Sequence, residues 1–114
     1  MSADFDRDQL LDIFVAEAGD DMARFWQALH PEDHGTPGPA DVADLHTVGH
    51  KLKGAALLYG FPGLGQLGAL LEETLERVGE IPPAKWPLAL EVLREIVVSF
   101  RTQVAAIGRG GGED

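Results

Sequence analysis

There is no cysteine anywhere in the chain. Disulfides, thiolate metal sites and cysteine nucleophiles are therefore excluded, and a reducing compartment is permitted. Basic residues are scarce as well: nine lysines and arginines stand against nineteen acidic residues, for a net charge of -10. A field of that sign repels phosphate backbones and anionic lipid, so neither nucleic acid nor a membrane surface is expected as a partner. No run approaches the roughly 18 consecutive apolar residues of a membrane span. The first twenty residues, with five aspartates and a glutamate, lack the basic start and apolar stretch of a signal peptide. A cytoplasmic location is the expectation. Alternation with period two is also missing over any useful length, which removes strands from the reading.

What remains is 114 residues, 45% hydrophobic, enough to bury one core and too few for a second. The apolar residues recur at helical spacing in four segments separated by three breaks. Asp6 and Gln9 resemble a capping box, and Leu11, Phe14, Ala18, Met22, Phe25 and Leu29 follow at steps of three and four, predicting a helix over about 7–29. The stretch "HPEDHGTPGP", 30–39, forces a turn, with Asp41 as a plausible cap after it. Val42, Leu45, Gly49, Leu52, Ala56 and Tyr59 define the inward stripe of a second helix, about 41–58, closed by "YGFPG". Leu64, Leu67, Leu71, Leu75 and Val78 mark a third, ending at Gly79; "EIPPAKWP" breaks the chain again. Trp86, Leu90, Leu93, Val97, Phe100, Val104 and Ile107 mark the fourth. The expected fold is all-α, an antiparallel up-down-up-down four-helix bundle over residues 1–108 with a flexible acidic tail, 109–114. No repeat beyond the heptads is evident.

The second segment carries residues that packing does not explain. In "GHKLKGAALLYG", 49–60, Gly49 lies on the inward stripe, where a small residue lets a neighbouring helix approach. His50, Gly54 and Leu57 fall on the opposite face. Glycine in a helix costs about 1 kcal/mol relative to alanine, so Gly54, one turn after His50, points to something large that must come close to the imidazole. Lys53, three residues from His50, can bring an ammonium near an anion on the ring. The turn between the second and third helices centres near residue 61, which places Glu72 level with His50. From the flank of its helix Glu72 could accept the Nδ1–H of His50, fixing the tautomer and leaving Nε2 as an exposed nucleophile.

Two other patterns lead nowhere from the letters alone. "GLGQLG", 63–68, spells a dinucleotide phosphate loop, but that loop needs a strand before it and none is available; these glycines instead let two helices approach near their turn. The histidines fall in i, i+4 pairs, a metal-ligand spacing on a helix. Pro31 and Gly35 break the pair His30/His34; His46 and His50 remain possible with a carboxylate as third ligand, but neither the E-x-x-H of di-iron bundles nor H-E-x-x-H is present, so no metal site is expected.

"HKLKGAALLYGF" resembles the signature of histidine-containing phosphotransfer domains: a histidine, then x-x-K-G, small residues and a glycine about ten positions on, matched by His50, Lys53, Gly54, Ala55, Ala56 and Gly60. "LLDIFVAEAGDDMARFWQAL" and "LGALLEETLE" are similar to the first and third helices of the chemotaxis-kinase type, including a glutamate at the position of Glu72. A second hydrogen-bonding residue often stands three positions earlier in that type; here it is Ala69. The resemblance implies a phosphorelay intermediate in which His50 takes a phosphoryl group, Lys53 offsets its charge and Glu72 orients the ring. His46, Gly54 and Leu57 would meet the partner. Those partners would be a sensor histidine kinase and a response-regulator receiver domain. No cofactor is expected on this chain, since Mg2+ would sit on the partner, and no nucleotide-binding signature supports autonomous kinase activity. The rival readings are a helical interaction module without chemistry and a small metal-binding bundle.

Overall fold

The computed structural model describes residues 3–29 and 38–110. Among them are four long helices, α1 (Ala3–Ala28), α2 (Pro39–Leu58), α3 (Pro62–Val78) and α4 (Trp86–Gly108), with a short 3-10 turn, Pro83–Lys85, ahead of α4. No strand occurs among the described residues. Sequential neighbours pack together and α4 closes back onto α1, while among the described residues the diagonal pairs make no close backbone approach. That is the up-down-up-down antiparallel bundle of the sequence reading. Residues 30–37, within the expected first break, and residues 111–114 of the expected tail lie outside the described residues.

Local signals set where the helices start and stop. α1 begins at Ala3, so Asp6 lies inside the helix rather than capping it. α2 begins with Pro39 in its first turn, where a missing N–H costs nothing, and Gly38 is the extended N-cap. Asp41 is therefore not the cap itself; it stands three residues into the motif and its Oδ2 accepts the Gly38 N–H at 3.0 Å. At the other end, Gly60 adopts φ 85°, the left-handed conformation that a side chain disfavours. The Gly60 N–H then donates to Leu57 O at 3.1 Å and the Phe61 N–H to Ala56 O at 2.8 Å, a Schellman closure. Pro62 starts α3 at once, so the α2–α3 hairpin is tight.

The core draws on every helix: Phe14, Ala18, Met22, Phe25 and Leu29 meet Leu45, Leu52, Leu64, Leu71 and Leu75, with Leu90, Leu93, Val97 and Phe100 from α4. Val48 joins them, although it lies off the predicted stripe, while Leu11, Val42, Leu67 and Trp86 are only half-buried. Among the described residues one charge sits inside. Asp21, 5% exposed, faces α2, where Lys51 Nζ lies 2.9 Å from its Oδ2. The ammonium is off the line of a hydrogen bond, so the contact is an ion pair. Arg24 sits 4.0 Å from the other carboxylate oxygen and reaches Asp44 on α2 at 2.6 Å. Lys51→Met should therefore destabilise the fold by about 1–2 kcal/mol, because it leaves a buried carboxylate short of its partner. A urea melt in which Lys51→Met matches wild type would make the pair a surface ornament.

Candidate functional site

The tight turn makes α2 and α3 a ladder, with residues equidistant from position 61 standing level. His50 and Glu72, each eleven residues away, meet across it: His50 Nδ1 lies 2.8 Å from Glu72 Oε2. A carboxylate can only accept, so Nδ1 carries the proton and, in the neutral ring, Nε2 keeps its lone pair. The His50 side chain is 68% exposed, whereas that of Glu72 is 16% exposed. The anchored nitrogen faces the protein and the imidazole edge faces water.

Lys53 does not stand free beside the ring. Its Nζ lies 3.3 Å from Glu72 Oε1, so one carboxylate holds both the imidazole and the ammonium. The hydrogen bond from His50 holds the Glu72 carboxyl below its ordinary range; partial burial opposes that shift, and Lys53 reinforces it. Gly54 is exposed and a Cβ there would meet nothing within 4 Å, so the space beside His50 is open. Leu57 is 56% exposed, yet its Cδ2 would lie 2.6 Å from a Cβ at Gly65, so it also leans across the hairpin.

The close approach is made at Gly68, within the "GLGQLG" stretch whose glycines are expected to let two helices approach, and not at Gly49. A Cβ on Gly68 would fall 2.9 Å from Lys53 Cα and 3.0 Å from Lys53 N, a backbone clash that only helix separation relieves. At Gly49 the same atom would lie 3.6 Å from Glu72 N and Leu71 Cβ, ordinary contact. Gly49→Ala is thus expected to be tolerated. Gly68→Ala should cost about 1–3 kcal/mol by overpacking, partly offset by alanine's better helix propensity, and should move Glu72 away from His50. Thermal melts of the two variants, with the His50 ring 15N shifts, check both; equal behaviour would mean the hairpin yields freely.

His46 repeats the arrangement one turn from His50. It and Glu76, each fifteen residues from position 61, meet with His46 Nε2 3.0 Å from Glu76 Oε1. The engaged nitrogen is here Nε2, so in the neutral ring the lone pair of His46 lies on Nδ1 rather than on Nε2 as in His50. The same level pairing that aligns Glu72 with His50 would have found Glu76 from the sequence. An apolar groove of about 1160 Å³ opens between α2, α3 and α4, lined by Val42, His46, Leu75, Trp86 and Leu90 among others, and His50 is not part of it. The exposed imidazole sits on open surface, where a large partner can reach it.

A helical bundle that holds a histidine by one nitrogen and presents the other to solvent defines a surface suited to group transfer between proteins. The Hpt domain family model matches residues 9–106, and the chain belongs to that family. The family's activity is histidine phosphotransfer in two-component signalling, and its members exchange phosphoryl groups with kinases and receiver domains. No match to a curated protein or to a solved structure accompanies it. Among the described residues no helix is long and apolar enough to cross a membrane.

Proposed function

We propose that His50 is the phosphoacceptor of a phosphorelay. Its Nε2 lone pair attacks the phosphorus of a receiver aspartyl phosphate or of a kinase-borne phosphoryl group; the P–N bond forms as the P–O bond to the donor breaks, and the return step restores the aspartyl phosphate on a receiver. The observation that carries the reading is the His50–Glu72 pair, 2.8 Å on the inner nitrogen with the ring 68% exposed. Glu72 orients the ring and balances the positive charge it gains on phosphorylation. Lys53, one turn away, offsets phosphoryl charge by leaving Glu72 for the new anion. Gly54 leaves room for the receiver, while His46 and Leu57 lie on its docking face. Mg2+ belongs to the partner, and this chain works without a cofactor of its own, in the cytoplasm.

Incubation with a phosphorylated receiver, or with an active histidine kinase and labelled ATP, tests the reading. The expected product is an acid-labile, base-stable adduct on this chain. Partner binding without any adduct would leave a helical interaction module in its place.

A further inference from the structure

The two level pairs form a square of potential ligands, with His46 and His50 at i, i+4 on α2 facing Glu72 and Glu76 at i, i+4 on α3. Donor atoms of His46, Glu72 and Glu76 all lie within 4.8 Å of one another. We propose that these three side chains form a binding site for a divalent transition-metal ion, with Zn2+ as its probe. Three protein ligands, here one imidazole and two carboxylates, leave the fourth position of a tetrahedral Zn2+ open to water. The imidazole favours Zn2+ over Mg2+ and Ca2+, which prefer oxygen alone.

The fit is close without being complete. Tetrahedral Zn2+ with bonds of about 2.0–2.2 Å keeps its ligand atoms roughly 3.3 Å apart. His46 Nε2 and Glu76 Oε1 are already 3.0 Å apart, so Glu72 is the ligand that must draw in or the pair must swing toward it. Glu76, 57% exposed, has the rotamer freedom to do so, while the scaffold under it is held by the tight α2–α3 approach at Gly68. His46 offers its Nε2 lone pair once the neutral ring carries its proton on Nδ1. Two carboxylates offset the dication once the Lys53 ammonium, 3.3 Å from Glu72 Oε1, gives up that oxygen to the metal, and the net charge of -10 raises the local cation concentration.

Because Glu72 also holds His50, metal occupancy and the orientation of His50 become linked. Binding itself is read without any phosphotransfer, so the proposal stands or falls apart from the function proposed above. Calorimetric titration of ZnCl2 into the untagged chain near neutral pH should give one saturable site. That site should survive in the double variant His30→Ala/His34→Ala. It should weaken tenfold or more in His46→Gln and in Glu76→Gln, the scale on which loss of a metal's supporting groups is felt. Circular dichroism melts confirm that each variant folds. Absence of saturable heat, loss of binding with His30 and His34, or full retention in His46→Gln or in Glu76→Gln would each overturn the assignment.

Discussion

His50→Gln is expected to fold as wild type does and to take up no phosphoryl group at all. The ring is 68% exposed and contributes nothing to the buried core. A substitution at such a surface position changes stability by no more than about 0.5 kcal/mol, so the melts should nearly superimpose. Chemistry, by contrast, has no substitute. A glutamine amide nitrogen donates its lone pair into the carbonyl and is no nucleophile, even where the side chain still reaches Glu72. His46 cannot take over easily, because its Nε2 is engaged by Glu76 at 3.0 Å. Label transferred from a phosphorylated receiver should therefore vanish in His50→Gln and persist in His46→Gln. The reverse pattern would move the acceptor to His46 and would mean that the His46–Glu76 contact opens during the encounter.

The helices were legible because each buries one stripe. On α4 the predicted apolar series from Leu90 to Ile107 is the buried series, since that helix packs with one face toward its neighbours. On α2 the stripe widens: the helix touches both α1 and α3, and Val48 beside Gly49 becomes core, which a single-stripe reading excludes. Helix starts were less legible. Asp6 and Asp41 both look like caps in the sequence, but α1 continues three residues before Asp6, and Asp41 serves the cap from inside the helix.

At the site, what the backbone alone determines could be read in advance. Levelness across a tight hairpin follows from residue counting, and it brings Glu72 to His50. Helical angles likewise place His50, Gly54 and Leu57 on the exposed face. Distances between helices cannot be read this way, because an angle says which face a glycine is on and nothing of how near the next backbone comes. Gly49 and Gly68 look alike as letters, yet only Gly68 abuts Lys53 Cα. The partner of Lys53 was hidden for a different reason: a four-carbon side chain chooses among several carboxylates within reach, and here it chooses the one already bound to His50.

Glu72→Gln should leave the bundle folded and slow phosphoryl acceptance by roughly 10- to 100-fold, less than the 10²–10⁴ of a direct general base because Glu72 touches the ring and not the phosphoryl group. Two effects combine. The carboxylate accepts only from Nδ1–H, whereas an amide can turn its NH2 toward the ring and favour the opposite tautomer, which places the proton on Nε2 and removes the nucleophilic lone pair. The amide also carries no charge to balance the imidazolium character of the phosphorylated ring, and it releases the Lys53 ammonium from Oε1. A pH dependence accompanies the loss. The folded carboxyl is held below its ordinary value near 4.5, chiefly by the His50 hydrogen bond. A depressed folded pKa stabilises the protein above the unfolded value, and that contribution disappears as pH falls through the folded one. Wild type should therefore exceed Glu72→Gln in urea resistance at pH 7 and lose that lead on acidification below about pH 4.5, by a small amount for a pair open to solvent. Stopped-flow transfer rates, with His50 15N shifts to report the tautomer, separate the chemical effect from the structural one. Equal rates and an unchanged tautomer in Glu72→Gln would mean that His50 is oriented by another group, and that the 2.8 Å contact stabilises the hairpin without serving the transfer.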